Sequence, residues 1–140
     1  MHAHALETLR PAIEGVQGVR ILDVGCGSGY LSAVFGRMAQ GSGRDGKVVA
    51  IDYIPELVKL SRDKCSKGDK DLLESGQLEI FQGDGWKGDE RNAPYHAIHV
   101  GAAAETIPDA LVKQLAPGGL MAIPVGFPGC TQEFLLIEKG

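Results

Sequence analysis

Short apolar runs alternate along the chain with segments whose apolar residues recur at helical spacing. The apolar runs predict six strands, at residues 19–24, 47–52, 78–82, 97–100, 120–125 and 134–137. The periodic segments predict four helices, at residues 1–13, 31–38, 54–67 and 107–115. Because strands that alternate with helices are typical of an α/β fold, we expect three layers built on a doubly wound, mostly parallel sheet.

Two segments modify this pattern. Pro11 is expected to break or end the first helix early, because proline lacks a backbone N–H and clashes with the preceding turn. Residues 68–76 form a polar link with room for a short turn of helix at Leu72 and Leu73. No internal repeat is visible, so a single domain is expected over residues 1–140.

A glycine-rich turn joins the first strand to the helix after it. Gly25, Gly27 and Gly29 stand at every second position, directly after Asp23 and Val24. A dinucleotide-binding fingerprint would require a third glycine at position 30, where the chain has tyrosine. An acid beside turn carbonyls can receive an ammonium group, so the turn suits a nucleoside thioether that carries an amino acid. It suits a pyrophosphate less well, because a pyrophosphate requires hydrogen-bond donors. A plain corner between strand and helix is the alternative interpretation.

Acidic residues lie at the carboxyl ends of three of the predicted strands. Asp52 ends the second strand and is suited to accept hydrogen bonds from two ribose hydroxyls. Asp84, with Gly85 beside it, is suited to accept one from an adenine amine. Asp23 completes the set, and the carboxyl ends of parallel strands line one crevice. A helix cap at Asp52 and a plain turn at Asp84 are the alternatives.

Composition excludes several classes of protein. The 140 residues are 44% hydrophobic and 23% charged, with a net charge of −4 and no basic stripe, so nucleic-acid binding is not expected. No apolar run approaches membrane-spanning length. Three widely spaced cysteines argue against a disulfide framework and favour the cytoplasm. We expect no metal site, because His96 and His99 lie at odd separation in a strand and point to opposite faces.

Two stretches are more distinctive than the glycine turn: Met1-His2-Ala3 and Ala97-Ile98-His99-Val100-Gly101-Ala102-Ala103-Ala104. Less specific stretches add to them: Gly83-Asp84-Gly85, and Pro117-Gly118-Gly119 with Pro124-Val125-Gly126. Together with Leu22-Asp23-Val24-Gly25, they resemble the protein-L-isoaspartate (D-aspartate) O-methyltransferase family. This family belongs to the class I S-adenosylmethionine-dependent methyltransferases, whose sheet is Rossmann-like. The resemblance covers essentially the whole chain.

The resemblance implies S-adenosyl-L-methionine as cofactor, with S-adenosyl-L-homocysteine as product. The cofactor contacts that it implies are His2, Gly25, Gly27, Ser28, Gly29, Asp52, Tyr53, Asp84 and Gly85, and the acid at the end of the first strand adds Asp23. His99, Gly101 and Ala102 would lie near the methyl donor and the substrate.

The activity implied is methyl transfer to the free carboxylate of L-isoaspartyl and D-aspartyl residues in damaged proteins, for repair, by a monomer. The chain begins inside the family's Ser-Ala-Pro-His-Met-His-Ala segment, so the serine usually assigned to the active site lies upstream of Met1 and the catalytic residue is unassigned. The preceding helical region and the last strand of the family are also absent. We therefore expect a partial domain with weak or no activity, and the alternative is a non-catalytic protein that binds S-adenosylmethionine.

Overall fold

The computed structural model describes residues 9–13, 17–25, 30–41, 43, 46–101, 107–126 and 133–139. Six strands lie within these residues: β1 (Arg20–Val24), β2 (Lys47–Asp52), β3 (Leu78–Gln82), β4 (Tyr95–Val100), β5 (Leu115–Val125) and β6 (Glu133–Glu138). They form one sheet in the order β3-β2-β1-β4-β5-β6. The strands β1 to β5 pair in parallel, and β6 pairs antiparallel with β5, so the prediction of a mostly parallel sheet is confirmed.

The chain reverses the direction in which it adds strands at the centre of this sheet. From β1 it adds β2 and β3 on one side, and it then crosses to the other side to add β4 and β5. The reversal leaves a crevice at the carboxyl ends of β1 and β4, where ligands bind in open α/β sheets. Asp23 and His99 lie opposite each other in the β1–β4 register, at this crevice.

Helices cover both faces of the sheet. They are α1 (Tyr30–Gly41), α2 (Pro55–Gly68), α3 (Lys70–Ser75) and α4 (Asp109–Gln114), with two short 3-10 helices at Gly85–Lys87 and Glu90–Asn92. Residues 9–13 are also helical. Among the described residues, no helix combines the length and the apolar character needed to cross a membrane.

Burial on both faces explains why the central strands are almost wholly apolar. Ile21 joins a cluster with Leu9, Phe35 and Leu72 on one face of the sheet. The next residue, Leu22, joins a second cluster that includes Leu111 on the opposite face. Because successive side chains of a strand point to opposite faces, a strand with two buried faces needs apolar residues at every position.

Two boundaries differ from those that the sequence predicts. The helix at residues 9–13 continues through Pro11, so the expected early end at this proline is wrong within the described residues. Helix α4 ends at Gln114 and β5 begins at Leu115, before the Pro-Gly-Gly segment. The Pro-Gly-Gly segment forms an irregularity within β5. The register between β4 and β5 shifts there, from the pair Tyr95↔Leu115 to the pair Ala97↔Leu120. The pairing of β5 with β6 ends at Leu120 and Glu138, and beyond it the Gly118 N–H donates a hydrogen bond of 2.7 Å to the carbonyl of Lys139, the residue after β6.

Candidate functional site

A cavity of about 460 Å³ opens at the carboxyl ends of β1, β2 and β3. Its lining combines two carboxylates, two aromatic side chains, two glycines and two apolar side chains: Asp52, Asp84, Tyr53, Trp86, Gly25, Gly85, Val24 and Ile51. The cavity volume falls in the range of small-molecule sites. Because these strands are parallel neighbours, their last residues meet at one edge of the sheet.

Asp52 is the most enclosed acid of this lining. It is the last residue of β2, is only 7% exposed, and accepts a hydrogen bond of 3.1 Å from the Ile54 N–H through its Oδ1 atom. The N-cap of α2 is Ile54 and makes no side-chain cap, so Asp52 does not cap that helix. The carboxylate is therefore held against the cavity by the chain reversal that follows β2.

Asp84 and Gly85 form the wall that comes from β3. Asp84 is exposed, and its Oδ1 atom accepts a hydrogen bond of 3.0 Å from the Trp86 N–H, which caps the first 3-10 helix. A Cβ atom on Gly85 would lie 2.3 Å from Cγ1 of Val24, closer than carbon atoms approach. Only glycine therefore fits between Asp84 and the end of β1.

Aromatic side chains border the cavity on two sides. Tyr53, which the sequence predicts as a site residue, is 77% exposed, and Trp86 is 38% exposed. Sequence reasoning missed Trp86, although the single tryptophan of the chain directly follows the Gly-Asp-Gly turn. Two exposed aromatic faces beside an apolar floor can hold a planar ring by stacking.

Asp23 does not line the cavity. Its side chain is 1% exposed and turns to α1 and β4: Oδ2 accepts a hydrogen bond of 2.5 Å from the Ser32 hydroxyl, and Oδ1 lies 2.9 Å from Nδ1 of His99. The structure therefore gathers Asp52 and Asp84 at the cavity and places Asp23 in a separate buried network. The three acids that the sequence predicts at one crevice therefore do not all line this cavity.

Backbone contacts connect the two groups of residues. Gly25 has a φ of +76° and donates a hydrogen bond of 2.8 Å from its N–H to the Ile51 carbonyl. Gly101 donates one of 2.8 Å to the Val24 carbonyl, and a Cβ atom on Gly101 would lie 2.9 Å from the Gly25 carbonyl oxygen. The backbones after β1 and β4 are thus in close contact.

The segment after Trp86 is fixed from beneath by α4. The Gln114 side chain is buried, donates a hydrogen bond of 2.8 Å to the Lys87 carbonyl and accepts one of 2.9 Å from the Asp89 N–H. Between them, Gly88 has a φ of +62° and no room for a Cβ atom, which would lie 2.2 Å from Oε1 of Gln114. The two 3-10 helices of this segment were not predicted, because their order depends on a glutamine 25 residues further along the chain.

A buried carboxylate completes this support. Burial alone would raise the pKa of Asp89, but hydrogen bonds from the side chains of Asn92 and Arg91 outweigh it and lower that pKa below its ordinary value. The Tyr95 hydroxyl donates to the Asp89 carbonyl, and burial raises the pKa of this phenol. These groups are structural and lie behind the cavity wall.

Several predicted positions fall outside the described residues: His2, Gly27, Ser28, Gly29 and Ala102. His96, which was not a predicted site residue, accepts a hydrogen bond of 3.0 Å from the Arg20 N–H at Nδ1, and burial lowers its pKa. In the part of the chain that the structure describes, no three His, Cys, Asp or Glu side chains are grouped as a metal site would require.

Comparisons with known proteins agree with this architecture. The family model for Protein-L-isoaspartate(D-aspartate) O-methyltransferase matches residues 1–140. A protein-L-isoaspartate O-methyltransferase of Caenorhabditis elegans is 46% identical over 139 residues, which are 99% of this chain and 60% of that protein. Protein-L-isoaspartate O-methyltransferase 2 of Arabidopsis thaliana is 46% identical over 140 residues, covering 99% of this chain and 43% of its own length.

A solved structure gives the same result. A Plasmodium falciparum protein described as a protein-L-isoaspartate O-methyltransferase, crystallised in complex with S-adenosyl-L-homocysteine, is 30% identical and superposes with a TM-score of 0.86. The match covers 99% of this chain and 65% of the other. The chain spans less than two thirds of the length of each of these relatives. By sequence and by structure, it belongs to the protein-L-isoaspartate (D-aspartate) O-methyltransferase family.

Proposed function

We propose that the chain binds S-adenosyl-L-methionine in the cavity between Asp52 and Asp84. The observation that carries this proposal is the chemistry of the lining, which has two carboxylates and, among the described lining residues, no basic side chain. Such a lining suits a ligand rich in hydrogen-bond donors and poor in negative charge, and it disfavours a pyrophosphate. The Plasmodium falciparum relative holds S-adenosyl-L-homocysteine, a ligand of this kind.

The lining residues suggest a role for each side of the ligand. Asp52, nearly enclosed at the end of β2, is placed to accept hydrogen bonds from two ribose hydroxyls. Asp84 is the proposed acceptor for the adenine amine, and Gly85 and Trp86, which line the same cavity, are the proposed contacts of the ring. His2, Gly27, Ser28 and Gly29 remain proposed contacts from the family resemblance.

We further propose that the activity is methyl transfer to the free carboxylate of L-isoaspartyl and D-aspartyl residues in damaged proteins. When bound, S-adenosylmethionine supplies a methyl group on a sulfonium, which a carboxylate oxygen takes up as the carbon–sulfur bond breaks and its electron pair returns to sulfur. Because a carboxylate has an ordinary pKa of about 4, it is ionised at neutral pH and needs no base. The residues of the chain therefore contribute by binding, orienting and excluding water.

The remaining proposals concern the state of the protein. We propose that residues 1–140 act as one methyltransferase domain, because the family model spans them and a single sheet runs through the described part. We propose a monomer in the cytoplasm, and the wide spacing of the three cysteines favours a reducing compartment. Light scattering and cell fractionation test these two statements.

Two measurements on one preparation test the function. Calorimetric titration with S-adenosylhomocysteine measures binding, and release of methyl ester from an isoaspartyl peptide measures turnover, with the matching aspartyl peptide and NAD as controls. We expect saturable binding and, at a low rate, methylation of the isoaspartyl peptide only. Binding without methylation would favour the non-catalytic alternative, and binding of NAD alone would contradict the cofactor assignment.

A further inference from the structure

The buried network of Asp23, Ser32 and His99 is not used by the proposed methyl transfer. The register of β1 against β4 pairs Asp23 with His99, so their side chains leave the sheet side by side on one face. Ser32, in the first turn of α1, supplies the third member and is fully buried. Three elements thus meet at one carboxylate at the point where the strand order reverses.

The hydrogen bonds of this network determine which nitrogen of His99 carries a proton. Oδ1 of Asp23 lies 2.9 Å from Nδ1 of His99, and Oδ2 accepts from the Ser32 hydroxyl. A carboxylate can only accept hydrogen bonds, so the Nδ1 atom must be the donor. In the neutral imidazole, Nε2 is then left as a hydrogen-bond acceptor.

Packing restricts the same ring from a second side. The rings of Phe35 and His99 have their centroids 6.0 Å apart with a tilt of 55°. Phe35 is fully buried and lies on the same helix as Ser32, so α1 contacts both Asp23 and the imidazole. The His99 side chain is 13% exposed, so part of the ring is accessible.

The imidazole of His99 lies close to the backbone of the candidate site. The Cε1 atom of His99, which is bonded to Nε2, would be 3.7 Å from a Cβ atom on Gly101. That Cβ position on Gly101 is also 2.9 Å from the carbonyl oxygen of Gly25, and Gly25 is a residue of the cavity lining. The imidazole and the cavity are therefore neighbours across the backbone contact of Gly25 and Gly101.

We propose that Asp23 and Ser32 are positioning residues that hold His99 as the Nδ1-protonated tautomer, so that its Nε2 atom accepts a hydrogen bond from an N–H group of the peptide substrate. This inference rests on the proposed function for its substrate, but the tautomer is a property of the protein alone. A peptide carries backbone N–H donors on both sides of the reacting residue, and its carboxylate is presented to the methyl donor only when the peptide is oriented. Asp23 then acts through His99 and not by contact with the cofactor.

The tautomer is measured first, without any activity. In the ¹⁵N-labelled chain, long-range two-bond correlations distinguish a protonated Nδ1 from a protonated Nε2, and a His99→Gln variant assigns the signal. We expect the proton on Nδ1 in the native chain and a shift toward Nε2 in Asp23→Ala. A native His99 with its proton on Nε2 alone would overturn the proposal, whatever the activity of the chain.

A double-mutant cycle then tests whether Asp23 acts through His99. Asp23→Asn is expected to lower kcat/KM for an isoaspartyl peptide by about a hundredfold, because a misplaced orienting group costs that much, with the Kd for S-adenosylhomocysteine little changed. In a His99→Gln background the same substitution should have little further effect. Asp63→Asn, an exposed acid on α2, is the matched control.

The outcomes separate this inference from the proposed function. Loss of S-adenosylhomocysteine affinity in Asp23→Asn, equal to the loss of turnover, would assign Asp23 to the cofactor and overturn the positioning role. Full additivity of the two substitutions would do the same. If the native chain binds S-adenosylhomocysteine without methylating the peptide, the proposed reaction fails, and the tautomer measurement alone decides whether Asp23 positions His99.

Discussion

At the scale of single residues, Gly85 is the position where the cavity wall leaves no space for a side chain. The Cβ atom of Gly85→Ala would lie 2.3 Å from Cγ1 of Val24, so the loop or the end of β1 must move. We expect the substitution to lower the free energy of unfolding by about 1–3 kcal/mol, as overpacking does, and to weaken binding of S-adenosylhomocysteine. Urea denaturation and calorimetry measure the two effects.

Gly68→Ala is the matched control for this substitution. Gly68 ends α2, is exposed, and has no atom within 4 Å of a Cβ position, so alanine fits there. We expect its binding to match that of the native chain and its free energy of unfolding to be equal or slightly higher, because alanine favours the helix more than glycine does. Native affinity in Gly85→Ala would show that the ligand lies elsewhere.

The sequence predicts part of the candidate site for a simple geometrical reason. Asp52 and Asp84 end parallel strands, and parallel strands bring their ends to one edge whatever the details of packing. The direction of Asp23 could not be predicted, because it depends on the register that places His99 beside it. Trp86 was missed because a single exposed aromatic residue has no periodicity to reveal it.

At the scale of elements, the segment that carries Asp84 and Trp86 depends on α4. Gln114→Leu would leave the Asp89 N–H and the Lys87 carbonyl without the partners that they have in the native structure. Each buried polar group left unpaired costs about 1–3 kcal/mol, so we expect a lower free energy of unfolding. The fluorescence of Trp86, the single tryptophan, should shift as this wall loosens.

Lys113→Ala provides the comparison on the same helix, because the Lys113 side chain is exposed. It should leave both the stability and the tryptophan emission near their native values. An unchanged Gln114→Leu protein would show that the segment holds its conformation without α4.

The pKa of Asp89 predicts a pH dependence of stability for the same segment. Because hydrogen bonds from Asn92 and Arg91 lower this pKa in the folded state, the ionised carboxylate stabilises the fold above its unfolded pKa of about 3.9. That contribution is lost as the pH falls through the lower, folded pKa. Asp89→Asn should therefore be less stable than the native chain by roughly 2 kcal/mol near neutral pH.

Urea midpoints of the two proteins, measured across the acid range, test this prediction. The difference between them should persist at neutral pH and shrink as the native Asp89 is protonated. A difference that stays constant through the acid range would mean that the charge of Asp89 does not stabilise the fold.

Sequence patterns predicted elements well where burial is uniform and poorly where pairing is irregular. The strand β2 was predicted at its observed bounds, because two buried faces require an unbroken apolar run. The start of β5 was missed, because its Pro-Gly-Gly segment is typical of a turn and is here absorbed by a shift in pairing with β4. Local propensity cannot show that Gly118 and Gly119 hydrogen-bond to Lys139, the residue after β6.

At the scale of the whole molecule, the strand order explains why chemistry collects at one edge of the sheet. Two buried layers, one on each face, stabilise the parallel strands. Because the strand order reverses between β1 and β4, no connection crosses over their carboxyl ends, which are left open. The cavity lies on the side of β2 and β3, and the Asp23–His99 pair lies at the reversal. This division suggests one region for the cofactor and an adjoining one for the peptide.

The central claim is that the cavity between Asp52 and Asp84 binds the adenosyl cofactor. A crystal structure of the chain with S-adenosylhomocysteine tests it most directly. We predict electron density for the nucleoside in the cavity, with the ribose at Asp52 and the adenine between Asp84, Gly85 and Trp86. Density for the nucleoside at another place, with Asp52 and Asp84 making no contact to it, would contradict the account.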